Sequence, residues 1–450
     1  MSEWKAGTGV KLARSLADLY DPERGGTAIA VDGFVPPEEL DHWLQLGALG
    51  QTSNQTLFLK KVEAGLLDED IRALHRQGRS PLEIYNELYN REALASARQI
   101  EQWVDPSRRL NFSRETDATR AADGDAIAAE AVGLQQLSPL IMVKLANVGA
   151  SPEAIRAMLR QAVIWGFEAG RLVNPNITLV FGAGHYLNTV AGFLEGLEAV
   201  SARGADLRGL LSVNSLFLSR TDTVVDGLIR ERMATAPVEE RDRLALLLGK
   251  TAIAHAKKVY QMFRAIFLGE EFADPYGLYP PEWLATLADL RQRYARLRAA
   301  HPELRPQRVL MASSGNKQPG VYSELLYVLP LLGEQVGNTL PPATLKALEA
   351  RLSSTGIPCR DTILDPLPWM PQTGETIAAW EEAAMWGNAP ETKTPDEVLH
   401  LVHRHVLEPA GTNLEAVCDG LRDKGAQAFA EDQRRAYEVF EAKVKELAEG

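Results

Sequence analysis

Short apolar or β-branched runs alternate with longer helical patterns along most of this chain, and no other feature restricts the fold as much. Each helix carries the chain back across the sheet before the next strand begins, so such strands pair in parallel. Eight runs read as strands: TAIAVD ending at Asp32, GALGQTSN at Asn54, RLNFSRET at Thr116, LIMVKLA at Ala146, NITLVFG at Gly182, LLSVNSLF at Phe217, RVLMASSG at Gly315, and a weaker VGNTLPP after Gly333. Eight is the number that closes a barrel, so the expected fold class is α/β, a (β/α)8 TIM barrel. A length of 450 residues suggests two or three domains, yet barrels often exceed the usual domain size as one unit. Apolar residues at 45% and charged residues at 24% are globular proportions, with ample material for a core.

The segments between the strands carry helix signals. In PPEELDHWLQLG, Leu40, Trp43, Leu44 and Leu46 can cover one face, and in SPEAIRAMLRQAVIWGFEAG Ile155, Met158, Leu159, Ala162 and Val163 do so. Ser151, Pro152 and Glu153 read as an N-cap, an N1 proline and an acidic first turn. From Asp222 to His301 there are amphipathic helices and no convincing strand, which predicts an expanded helical connection between strands six and seven. The organisation expected is an N-terminal segment over 1–25, a catalytic barrel over 26–352, and a C-terminal helical extension over 353–450. That extension packs on the barrel, because Phe429, Tyr437, Val439 and Phe440 need burial.

Asp plus Glu number 60 against 48 Lys plus Arg, and the net charge of -12 repels a polyanion, so no nucleic acid partner is expected. The longest apolar stretch, Leu325–Leu332, is interrupted by a proline and falls far short of the roughly 20 residues that cross a bilayer. Basic residues in MSEWKAGTGVKLARSL are followed by no apolar run, so no secretory signal is read. Cys359 and Cys418 can form one bridge at most. A cytoplasmic protein with no membrane partner is the simplest reading, and a homo-oligomer is left open.

Three motifs look familiar and fail. Gly182-Ala183-Gly184 precedes a helix, but a dinucleotide fingerprint needs a third glycine where Leu187 stands. Gly249-Lys250-Thr251 imitates the end of a phosphate loop, yet Leu244 replaces the earlier glycine and the segment is helical. His400, His403 and His405 have no supporting cysteine or carboxylate pattern and read as a solvated helix surface, not a metal site.

Lys144 resists a purely structural account, because it lies inside the apolar strand LIMVKLA and a buried ammonium is costly unless paired or deprotonated. Alternation puts Met142, Lys144 and Ala146 on one face, with Ile141, Val143 and Leu145 on the other. If the second face packs on helices, Lys144 points into the barrel. A desolvated barrel lysine can supply the free amine that attacks a ketone to form a Schiff base. Asp32 and Asn54 end strands one and two, Glu115 lies near the end of strand three, and Thr178 and Ser215 sit in strands five and six. C-terminal strand ends converge on one mouth of such a barrel, and these groups suit stepwise proton transfer around a carbonyl.

These residues carry a resemblance to the transaldolase family, particularly its longer bacterial forms. The closest stretches are SVNSLFLSRTDTVVDGLI from Ser212 and VKLA around Lys144, followed by ITLVFG, GKTAIAHAKKVYQMF, ASSGNKQPGVYSELLYV, VGNTLPPATL, TSNQTLF and GAQAFAEDQ. The resemblance spans roughly residues 25 to 352 and the last 40 or so, in the family's order, and leaves Asp365 to Pro409 without a counterpart. It implies a pentose phosphate pathway transferase with no cofactor and no metal. Such an enzyme moves a dihydroxyacetone unit from a sedoheptulose 7-phosphate or fructose 6-phosphate type of ketose to an aldose phosphate. By position, Lys144 would form the Schiff base, Asp32 would take the hydroxyl proton as the carbon–carbon bond breaks, and Glu115 would relay protons through a water beside Thr178. Asn54 and Ser215 would hold the dihydroxyacetone moiety, and Arg220 with Lys317 would bind the substrate phosphate. A planar guanidinium suits a phosphate bidentately.

The chain departs from the family at Gln55, where proline is usual, at Ala146-Asn147-Val148 after the lysine, and at Gly182, where serine is usual. The same residues would serve a Schiff-base aldolase releasing free dihydroxyacetone. Altered loops also admit a barrel that binds sugar phosphate without turnover.

Overall fold

The computed structural model describes residues 10–20, 26–52, 55–106, 108–146 and 151–449. Eight strands close a barrel in chain order: β1 Ala28–Asp32, β2 Gly50–Thr52, β3 Asn111–Glu115, β4 Ile141–Ala146, β5 Pro175–Val180, β6 Val213–Phe217, β7 Arg308–Ala312 and β8 Val336–Leu340. All neighbours are parallel, and β8 closes on β1 with Gly337 opposite Ala28. The eight expected runs are these eight strands, with β2 trimmed to three residues and β5 begun one residue early at Pro175.

Alternation places the side chains as expected. Ile141, Val143 and Leu145 are wholly buried, while Lys144 turns into the barrel mouth. The helices pack through the anticipated stripes: Leu40, Trp43 and Leu44 on one, Ile155, Met158, Leu159, Ala162 and Val163 on the other. At roughly 25 cal/mol per Å2 of apolar area, such stripes supply most of what offsets chain entropy. Between β6 and β7 lie four α-helices, Ser219–Thr235, Val238–Ala245, Thr251–Phe263, which runs on into a π-helical turn Arg264–Leu268, and Pro281–Ala300, which form the expanded connection.

Beyond β8 the helix Pro342–Ser354 follows, then short antiparallel ladders, helices Ile377–Trp386 and Pro395–Val402, and the long helix Leu414–Glu449. The long helix docks edge-on against Tyr85, with Tyr437 at 5.0 Å and Phe440 at 5.6 Å between ring centroids. Phe440 is fully buried, whereas Phe429, Tyr437 and Val439 are half-buried.

The motifs set aside in the sequence have structural roles. Gly182 caps helix Ala183–Ser201, whose first amide, Ala183 N–H, donates to Glu415 Oε1 at 3.1 Å. A Cβ at Gly182 would run into that carboxylate, which accounts for the glycine. His400 stacks on Tyr276 at 4.5 Å, and His403 faces Glu408 at 3.4 Å. Among the described residues no group of three or more His, Cys, Asp or Glu is placed to hold a metal, and no helix is long and apolar enough to cross a membrane. Both cysteines are free thiols.

Candidate active site

A cavity of about 270 Å3 opens at the C-terminal end of the strands, where barrel active sites are built. Asp32, Glu115, Lys144, Thr178, Ser215, Arg220 and Lys317 all line it. Asn54 lies outside the described residues. A larger cavity of about 510 Å3 is walled by Trp369, Arg243 and Lys393 and shares no residue with the mouth.

Adjacent strands bring the candidate residues together in pairs. Glu115 on β3 pairs in register with Lys144 on β4, and the amine lies 3.6 Å from Glu115 Oε1. The Lys144 side chain is only 12% exposed and that of Glu115 3%, so the pair sits at the edge of water with its attraction poorly screened. Asp32 on β1 pairs with Thr52 on β2, whose hydroxyl donates to Asp32 Oδ1 at 2.7 Å and lies 3.2 Å from Thr339 Oγ1 on β8.

One layer deeper, Asn176 on β5 ties three strands: it donates to Ser113 Oγ at 2.9 Å and accepts from Ser215 Oγ at 2.6 Å. Ser215 therefore has its proton committed below and presents only acceptor capacity to the cavity. Thr178 is the opposite case, a fully buried hydroxyl with no partner among the described residues. It precedes Leu179, a β-branch-free but bulky residue at φ +59°, where the β5–β6 register shifts between Ile177 and Val180. Such a bulge re-aims a side chain at the cost of local strain.

The far wall is cationic. Arg220 stands in the first turn of helix Ser219–Thr235, where a cation opposes the helix dipole, so guanidinium and helix terminus both favour an anion there. Burial pulls the Arg220 guanidinium down from its ordinary pKa, and the Asp432 carboxylate offsets part of this. Lys317 and Gly315 come from the loop after β7.

The C-terminal helix covers the opening, a contribution the sequence reading missed. The Phe429 ring lies 5.7 Å from Lys144 Nζ and 5.9 Å from the Arg220 guanidinium, and Asp432 also lines the cavity. Gln55 donates to Gln433 Oε1 at 2.7 Å, and Gln433 donates to Tyr85 Oη at 3.2 Å, so the glutamine departure joins the mouth to this helix. Thr52 and Asn176 were missed too. Asn176 lies two residues before Thr178, and strand alternation alone puts both on one face.

The chain thus combines a closed (β/α)8 barrel with a lysine, two carboxylates and a cationic wall at its C-terminal mouth, where enzymes of this fold build their active sites. The chain belongs to the transaldolase/fructose-6-phosphate aldolase family, whose model matches residues 35–440. It is 31% identical over 311 residues to a protein named transaldolase from Trichodesmium erythraeum, covering 67% of this chain and 72% of that one. Transaldolase 2 of Nostoc sp. is 30% identical over 312 residues, covering 67% and 72%. The transaldolase of Thermobifida fusca is 28% identical over 394 residues, covering 86% and 85%.

Proposed function

We propose that this protein is a transaldolase that moves a dihydroxyacetone unit from a ketose phosphate to an aldose phosphate through a Schiff base on Lys144. The observation that carries the reading is the Lys144 amine, held in the barrel mouth 3.6 Å from the Glu115 carboxylate and only 12% exposed. The amine attacks the ketose carbonyl, and Glu115, with a water held at the uncommitted Thr178 hydroxyl, moves the protons that let water leave and the iminium form. The iminium then draws the electron pair of the breaking carbon–carbon bond while Asp32, oriented by Thr52, accepts the hydroxyl proton. The released aldose phosphate departs, the remaining enamine adds to the acceptor aldehyde as Asp32 returns its proton, and hydrolysis frees the new ketose. Ser215 accepts a hydrogen bond from the three-carbon unit, and Arg220 with Lys317 clamps the phosphate. No step of this scheme requires a metal or an organic cofactor.

Borohydride trapping with fructose 6-phosphate, followed by peptide mapping, tests the reading. The expected adduct is on the peptide bearing Lys144; no adduct, or one elsewhere, overturns it. Product analysis with and without an aldose phosphate acceptor separates transfer from release of free dihydroxyacetone.

A further inference from the structure

We propose that a ladder of side-chain contacts along helix Ser219–Thr235 is a positioning device for the anion end of the cavity, locking the loop that bears Lys317 against the helix that bears Arg220. The inference rests on the phosphate reading above. Asp222, Asp226 and Arg230 recur every four residues, so they form one stripe on three successive turns. Each meets the segment after β7. Tyr327 Oη donates to Asp222 Oδ2 at 2.9 Å, and Tyr322 Oη donates to Asp226 Oδ2 at 2.5 Å. Arg230 donates to Gln318 Oε1 at 2.6 Å and to Tyr322 Oη at 3.2 Å. At the cavity end the ladder continues into Ser219, whose Oγ lies 2.9 Å from Ser313 Oγ and whose N–H donates to Ser313 O at 3.2 Å.

Lys317 sits inside this arrangement. Its neighbour Asn316 donates to Tyr322 O at 2.8 Å, and Gln318 N–H donates back to Asn316 Oδ1 at 2.8 Å. A third element fixes the carboxylates from behind: Gly249 N–H donates to Asp226 Oδ1 at 3.0 Å and Ala252 N–H to Asp222 Oδ1 at 2.7 Å. The sequence that imitated a phosphate loop is thus the backstop of the ladder.

Two wholly buried aspartates are an expensive way to join a helix and a loop. Burial pushes both carboxyls up from their ordinary range, with the Asp226 charge adding to the effect at Asp222. Apolar packing would join the same surfaces without that cost. It would also leave the loop free to slide, whereas directional hydrogen bonds on three turns admit one register. None of Asp222, Asp226 or Tyr322 lines the cavity, so their influence on substrate runs through Arg220 and Lys317.

Tyr322→Phe tests the device, because it deletes the hydroxyl that donates to Asp226 and accepts from Arg230, and keeps the ring. The expected result is KM for fructose 6-phosphate raised about tenfold, equivalent to ~1.4 kcal/mol, with kcat within about twofold and KM for fructose unchanged. Hydrogen exchange across 313–323 should rise at the same time, and in an Arg220→Ala background the KM effect should vanish. Arg230→Ala is the second variant; its side chain is 43% exposed, and its loss removes the outer rung and a 3.9 Å ion pair with Asp226 while leaving the hydroxyl and amide donors to both carboxylates in place. It should give the same KM split, smaller. A variant pair that loses stability while both KM values hold, or whose exchange across 313–323 is unchanged, overturns the positioning role. Arg220→Ala alone reads the phosphate assignment. If it weakens both substrates equally, that assignment fails, and the ladder is then upheld only if Tyr322→Phe raises exchange and KM together.

Discussion

The two ends of the mouth cavity are built from different material. At one end Asp32, Glu115 and Lys144 stand on the barrel strands β1, β3 and β4, each backed by a register partner; Thr52 holds Asp32, and Asn176 ties Ser113 to Ser215 one layer below. At the other end Arg220 stands on a helix and Lys317 on a loop, while Phe429 and Asp432 arrive from the long C-terminal helix. Strand-borne groups move little relative to one another, which suits proton transfers sensitive to fractions of an ångström. Helix- and loop-borne groups can be altered without disturbing the barrel. Under the proposed function, the first end carries the chemistry and the second the choice of substrate.

The sharpest way to break this division is Lys144→Met, which keeps much of the stem's volume but cannot form an iminium. The expected outcome is a folded protein with no borohydride adduct and essentially no turnover. The change also removes the ion pair with Glu115 whatever the role of Lys144, and a broken buried pair costs about 3 to 5 kcal/mol of stability, so the fold is checked separately from the chemistry. Thermal unfolding read beside trapping separates the two, and wild-type-like turnover in the folded variant would end the mechanism.

Arg220→Ala probes the other end and should have a smaller, more selective effect. A charged hydrogen bond to phosphate contributes about 1.5 to 3 kcal/mol, so KM for fructose 6-phosphate should rise roughly 10- to 150-fold. Reaction with fructose should change little. If kcat on the unphosphorylated sugar falls as far, the two ends are not separable and Arg220 supports the barrel.

The reacting end was legible because its signals are local. A lysine inside an apolar strand is an anomaly visible without any partner, and alternation then fixes the face it takes. Strand ends converge by the geometry of the barrel, so Asp32, Glu115, Thr178 and Ser215 followed from counting strands. The C-terminal helix defeats that logic. Its 36 residues form one long amphipathic pattern, and nothing local says which turn crosses the mouth. Phe429 reads as a residue in need of burial; its place between Lys144 and Arg220 is a property of the docked helix alone. Gln55 likewise reads as a departure from a family pattern, and its reason lies 378 residues away at Gln433.

The docking of that helix supplies the finest test of the comparison. Glu415 lies in its first turn and accepts from Ala183 N–H at the start of the helix after β5. Burial pushes its carboxyl up from 4.5 to about 7, against the opposing pull of the Ala183 and Gly184 amides. Between those values the folded state holds a proton that the unfolded chain has released, so stability falls as pH rises through the window. Glu415→Gln replaces the protonated acid with a neutral group of the same shape. The variant should match the wild type near pH 5 and exceed it at pH 8 by on the order of 2 kcal/mol in chemical denaturation. Because this contact holds the helix that carries Phe429 and Asp432, the wild type at pH 8 should also show faster hydrogen exchange near those residues than at pH 5, after correction for intrinsic rates. Exchange in β3 and β4 should stay unmoved. A stability difference between wild type and variant that is the same at both pH values would remove Glu415 as the source, and loosening of β3 and β4 in step with the helix would show that the two ends of the cavity are one cooperative unit.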